Sequence, residues 1–67
     1  ASLNEATEKD HAVLGHLLRV APQIAGHEGL SENGYRVVAN VGSDAGQTVW
    51  HIHLHILGGR PMTWPPG

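Results

Sequence analysis

Three histidines stand in alternation near the C-terminal end of this 67-residue sequence, His51, His53 and His55, each separated from the next by one apolar residue. Six histidines in 67 residues is a high share, and half of them fall within five positions. Alternation is the period of an extended strand, so the three imidazoles project from one face while Trp50, Ile52, Leu54 and Ile56 project from the other. Imidazole ligates metals, attacks electrophiles and carries charge near neutral pH.

Each use makes a different geometric demand. Residues two apart on a strand are about 6.6 Å apart, which puts His51 and His55 roughly 13 Å from one another. With a metal–nitrogen bond of about 2 Å, one zinc ion reaches two neighbouring rings but not all three unless the outer rings lie along the strand. No cysteine is present, and His11 and His16 are five apart, so a helical pair cannot complete the ligand set. A plain solvent-facing strand surface is the second reading, weakened by three imidazoles in register opposite an apolar face. Nucleophilic attack on phosphorus is the third. For that chemistry His53 is the natural attacker, because histidines flank it on both sides. One ring nitrogen must keep its lone pair, so the other needs an acceptor, from a backbone carbonyl or a neighbouring side chain.

The histidines need elements to hold them. Val13, Leu14, Leu17, Leu18, Ala21, Ile24 and Ala25 recur at helical spacing, which predicts a helix over about 7–28. Two start signals compete, Ser2 with Glu5 and Thr7 with Asp10, and Thr7 is the one adopted for that boundary. Pro22 predicts a kink near Leu18 or a break. Strands follow at about 35–41 and 48–57, joined by the Gly42–Gln47 loop as an antiparallel hairpin. If Val41 pairs with Thr48, Asn40 shares the histidine face, and Tyr35, Val37, Ala39 and Val41 join the apolar side. Gly42, Gly46, Gln47 and Thr48 then lie at the end of the hairpin nearest the histidines, where glycines let backbone N–H groups converge on an anion. Residues 58–67, with three prolines and Trp64, form an extended tail.

Four Lys and Arg against six Asp and Glu, scattered along the chain, offer no basic stripe for nucleic acid. No apolar run approaches the roughly 20 residues of a membrane span, so neither partner is expected, and a cytoplasmic address follows as the default. One helix and a two-stranded hairpin are too little to stand alone in water. Below roughly 70–80 residues a core supplies only about 3–5 kcal/mol, and without cysteine no disulfide supplements it. Further structure, in this polypeptide or another, is expected.

His51-Ile52-His53-Leu54-His55-Ile56-Leu57 resembles the alternating motif of the histidine triad (HIT) superfamily. The stretches 34–40, 42–49, 57–60 and 64–67, with Leu14-Gly15-His16-Leu17, resemble its Hint branch, the histidine triad nucleotide-binding proteins. The resemblance covers nearly the whole chain but only the C-terminal half of the family domain, and residues 1–67 are therefore expected to be a partial HIT domain. It implies an α+β fold, a HIT-like antiparallel sheet with a packed helix, and a homodimer. It implies a purine nucleoside phosphoramidate hydrolase that needs no cofactor or metal, in which His53 becomes transiently nucleotidylated. Asn40, Gly46, Gln47, Thr48, Val49 and His55 then surround the α-phosphate. Thr48 stands where serine is common and passes a proton to the leaving amine. His51 organises the triad, and Trp64 lies near the partner subunit's site. A nucleotide-binding adaptor without catalysis is the rival, with a His-ligated zinc site third.

Overall fold

A computed structural model describes residues 2–49 and 51–67. Both candidate N-terminal start signals are used, one after the other. Ser2 caps a single 3-10 turn, Leu3–Glu5, and Thr7 caps another, Glu8–Asp10. In each, the capping hydroxyl accepts a backbone N–H of its own turn, while the acid three residues on accepts the cap's N–H: Glu5 from Ser2 at 3.1 Å and Asp10 from Thr7 at 2.9 Å. The long helix, α1, then runs His11–His27. It starts four residues later than the Thr7 boundary because the capped turn is wound as 3-10 before the α-helix begins.

Pro22 lies inside α1 without breaking it. Pro22 and Leu18 are both exposed, so the Leu18 carbonyl that loses its partner N–H can turn to water. The helix ends in a Schellman motif. The Gly29 N–H donates to the Gly26 carbonyl at 3.2 Å, and the Leu30 N–H reaches back to the Ala25 carbonyl at 2.8 Å.

Strands β1 (Tyr35–Val38) and β2 (His55–Gly58) form a two-stranded antiparallel sheet. Its pairs are Tyr35 with Gly58, Arg36 with Leu57, Val37 with Ile56 and Val38 with His55. Both strands are shorter than the expected 35–41 and 48–57, and Gly58 belongs to β2 rather than to the tail. The expected pairing of Val41 with Thr48 does not form. Its loop closure one step inward does: the Gln47 N–H donates to the Gly42 carbonyl at 3.1 Å. Three residues, 39–41, separate the ladder from that closure on one side, and seven, 48–54, on the other. The excess of four is even, so the facing of side chains agrees with the expected parity although the register does not.

On the apolar face, Leu3, Leu14, Leu17, Leu18, Val37, Ala39, Ile52 and Leu54 line a cleft of about 370 Å³ between α1 and the sheet. The expected buried side is thus apolar but unsealed. Val37 remains 37% exposed, and among the described residues the buried hydrophobics are Ala21 and Ala25 alone. The expected placement of Trp50 on this face lies outside the described residues.

Candidate active site

The loop at the head of the hairpin is a 3-10 turn, Ser43–Ala45, between two glycines of positive φ, Gly42 at 82° and Gly46 at 79°. A side chain at either would be strained, so the pair lets the chain reverse within five residues. Gln47 then ties the loop shut. Its Oε1 accepts the Gly42 N–H at 2.7 Å and its Nε2 donates to the Val49 carbonyl at 3.2 Å, in addition to the backbone closure. The residue is only 5% exposed. Gly46 donates its N–H to the Ser43 carbonyl at 2.9 Å.

These bonds sort the expected anion donors. The N–H groups of Gly46 and Gln47, and the Gln47 side-chain amide, are committed within the loop. Thr48 and Val49 are exposed, and among the described residues no acceptor engages either N–H. Asn40, half-buried and two residues past Val38, continues the histidine side of the sheet toward this loop.

The three histidines differ in environment. His51 and His55 are exposed and His53 is half-buried. His55 lies in β2, whereas His51 and His53 precede it outside the ladder. The His53 and His55 rings meet edge to face, with centroids 5.0 Å apart and planes at 73°. His53 Nδ1 lies 2.8 Å from the carbonyl oxygen of His51. A carbonyl can only accept, so Nδ1 carries the proton, and in the neutral ring Nε2 keeps its lone pair. His51 thus acts on its neighbour through its main chain while its own ring faces solvent.

Arg36 was not among the residues singled out from the sequence. It shares the histidine face by register, and its guanidinium donates to the Thr63 carbonyl at 3.0 Å, with the Pro66 carbonyl at 3.5 Å. A charged residue in an otherwise apolar strand was the available signal. The tail is thereby tethered near Arg36, four residues along the chain from Asn40, or about 13 Å at strand rise. Trp64 is 84% exposed, and among the described residues no ring pairing joins it to the histidines of its own chain. His11, His16 and His27 are exposed on α1, apart from the cluster. Among the described residues, no three His, Cys, Asp or Glu side chains come together as a metal site.

The HIT domain family model matches residues 1–62. The chain belongs to the HIT family. A crystal structure of a HIT family hydrolase from Legionella pneumophila superposes with a TM-score of 0.94 at 55% identity, over all of this chain and 60% of that one. A HIT family hydrolase from Clostridium thermocellum gives 0.88 at 40% identity, over 94% of this chain and 55% of that one. An uncharacterised HIT-like protein of Synechococcus elongatus is 57% identical over all of this chain and 58% of its own length. A 14 kDa zinc-binding protein of Zea mays is 55% identical over 97% of this chain and 50% of its own. The chain thus spans between half and three-fifths of these relatives, as the C-terminal part of the HIT domain. Its helix and two-stranded antiparallel sheet match the solved HIT folds. Among the described residues, no helix is long and apolar enough to cross a membrane.

Proposed function

We propose that this chain carries the catalytic half of a purine nucleoside phosphoramidate hydrolase that works through a nucleotidyl-histidine intermediate. The observation that carries the reading is the bond from His53 Nδ1–H to the His51 carbonyl, which leaves Nε2 of the neutral ring as a lone-pair nucleophile, in a segment that follows a loop whose Thr48 and Val49 N–H groups meet no acceptor among the described residues. Membership of the HIT family, with solved relatives named as hydrolases, supports the same reaction type.

In the first step His53 Nε2 attacks phosphorus, the P–Nε2 bond forms and the P–N bond to the amine breaks. The Thr48 hydroxyl relays a proton from water to the departing nitrogen. The ring is now a cationic phosphoryl-imidazolium, and its Nδ1–H bond to the His51 carbonyl becomes charge-assisted. A hydrogen bond to a charged group contributes roughly 1.5–3 kcal/mol, against about 0.5–1.5 kcal/mol for a neutral one. This contact therefore favours the adduct over the resting ring, which is the differential stabilisation that catalysis needs. The N–H groups of Thr48 and Val49, the Asn40 amide and the His55 ring hold the phosphoryl oxygens. In the second step water attacks phosphorus, returns to the solvent the proton borrowed in the first step, and displaces Nε2 with its lone pair restored, releasing the nucleoside monophosphate. Exposed Val13, Leu18 and Ile24 on α1 support a homodimer, in which Trp64 serves the partner's site.

The zinc-binding name of the maize relative suggests another use for the imidazoles, and the donor set here does not fit it. Among the described residues, no third His, Cys, Asp or Glu joins the pair of touching rings. The deciding experiment compares His53→Ala and His16→Ala in the protein carrying both halves of the domain. The first should abolish phosphoramidate turnover and the second should leave it intact. Rapid quenching should trap a phosphorus–nitrogen adduct on His53. Turnover by His53→Ala refutes the assignment, and nucleotide binding without turnover of any phosphoramidate assigns an adaptor instead.

A further inference from the structure

We infer that Gln47 is a positioning residue that braces the substrate's phosphate seat and is not itself a ligand to the phosphate. The inference rests on the reading of the 42–49 loop as that seat. Both functional atoms of the Gln47 amide are spent inside the loop, Oε1 on the Gly42 N–H at 2.7 Å and Nε2 on the Val49 carbonyl at 3.2 Å. Its own N–H is spent on the Gly42 carbonyl. At 5% exposure, the residue presents little surface to an incoming anion.

The work done by those bonds is directional. Anchoring a chain on both sides of a short segment restricts the backbone torsions between, and with them the directions of the intervening N–H groups. Binding the Val49 carbonyl anchors the segment at its far end. Binding Gly42 through both its N–H and its carbonyl fixes the point from which the loop departs. Thr48 and the Val49 N–H lie between these two anchors, so their free donors are held in place before substrate arrives. Preorganised donors of this kind need no reorganisation when charge develops on phosphorus.

The loop demands a side chain that accepts at one atom and donates at the other at the same time, which at this length and neutral pH an amide supplies. This gives a pair of informative variants. Gln47→Met has similar length and supplies neither bond. Gln47→Glu keeps the acceptor for Gly42 but, when ionised, sets a carboxylate oxygen against the Val49 carbonyl. Protonation of that carboxyl restores a donor with the original shape.

The experiment uses the protein with both halves of the domain, with adenosine monophosphate as the probe, read by amide NMR and by phosphoramidate kinetics. In Gln47→Met, hydrogen exchange at the Gly42 amide should rise on the order of tenfold, the loss of protection expected from one released hydrogen bond. Exchange at Val37 and Ile56 in the ladder should not change. Affinity for the monophosphate should fall by a similar factor, and kcat should fall by more than KM rises. Gln47→Glu should keep the Gly42 protection at neutral pH but weaken monophosphate binding, because only the donor to the Val49 carbonyl is lost. Its loss of affinity relative to wild type at equal pH should shrink as the carboxyl is protonated and a donor to the Val49 carbonyl returns. Unchanged Gly42 exchange in Gln47→Met, with or without weaker binding, overturns the brace while leaving the hydrolase reading in place. Wild-type affinity in both variants also overturns it. Failure of the wild-type protein to bind the monophosphate would sink the functional reading, and the brace would lose its purpose with it.

Discussion

Replacing Gly58 by alanine tests the joint that holds the histidine strand to the helix. Gly58 is the last residue of β2, three beyond His55, and pairs with Tyr35. Its φ is not positive, so its backbone imposes no demand for glycine. The demand comes from packing. A Cβ added there would lie 2.7 and 2.8 Å from the two Leu30 methyl carbons and 3.1 Å from Leu30 Cγ. Leu30 cannot simply withdraw, because its N–H is bonded to the Ala25 carbonyl at 2.8 Å and its carbonyl accepts the Gly34 N–H at 2.9 Å. Its side chain must therefore leave its rotamer, or the helix-end turn must shift.

Overpacking of this kind costs about 1–3 kcal/mol, and reduced freedom of the unfolded chain offsets roughly 0.4–1 kcal/mol of it. The net expectation for Gly58→Ala is a loss of about 1–2 kcal/mol, measured as a lower urea midpoint at constant slope in the protein with both halves of the domain. Combining it with Leu30→Ala should cost less than the two single changes added together, since the double variant removes the clash. Residues in contact commonly show coupling of about 0.5–3 kcal/mol. Gly58→Ala as stable as wild type, or a cycle that is strictly additive, would refute the claim that Leu30 occupies the space a side chain would need.

Three further expectations follow from the same geometry. Thr48→Val removes the hydroxyl while nearly preserving shape, so turnover should fall on the order of tenfold or more, as for loss of a general-acid contact, with Thr48→Ser restoring it. The Glu5 carboxyl is held below its ordinary value of 4.5 by the Ser2 backbone N–H and then by the Ser2 hydroxyl. Such a group adds stability above its unfolded pKa and loses it as pH falls through the folded value, so the Leu3–Glu5 turn should loosen in acid below about pH 4.5. A carboxyl-carbon NMR titration of Glu5 reads this directly, and a midpoint at or above the ordinary value contradicts it. Metal analysis after mild dialysis should find no stoichiometric zinc, since no three ligands converge among the described residues.

The histidine face was legible in the sequence because alternation is a local property: three imidazoles against Ile52, Leu54 and Ile56 admit one extended reading. Capping was legible for the same reason. Ser2 with Glu5 and Thr7 with Asp10 each satisfy a local rule, and both rules are obeyed rather than one excluding the other. Strand length was not legible. A tight hairpin would have used the Gly42 N–H and the Val49 carbonyl near its first rungs, but the Gln47 amide takes both. That competition depends on where a side chain folds back, which residue spacing does not encode. Arg36 was invisible for a related reason, since its acceptors lie at Thr63 and Pro66, some thirty residues away. The open cleft between α1 and the sheet was anticipated only in its general form, as a core too small for the chain's apolar surface.

Parity explains why an incorrect register still pointed at the correct face. Between the ladder and the loop, the second side of the hairpin carries four more residues than the first. An odd excess would have rotated Arg36 and Val38 to the side opposite His55, and Asn40 with them, leaving the imidazoles over an apolar surface. An even excess keeps polar with polar while moving the loop relative to the strands. The histidine segment thereby leaves the ladder before His55, and this freedom lets His53 Nδ1 fold back onto the His51 carbonyl, two residues earlier in its own chain. Residues 51 and 53 of a flat, fully paired strand would hold their side chains about 6.6 Å apart, each normal to the sheet, with the intervening carbonyls directed sideways at a neighbouring strand. The tautomer of the proposed nucleophile thus goes with this departure from regular pairing.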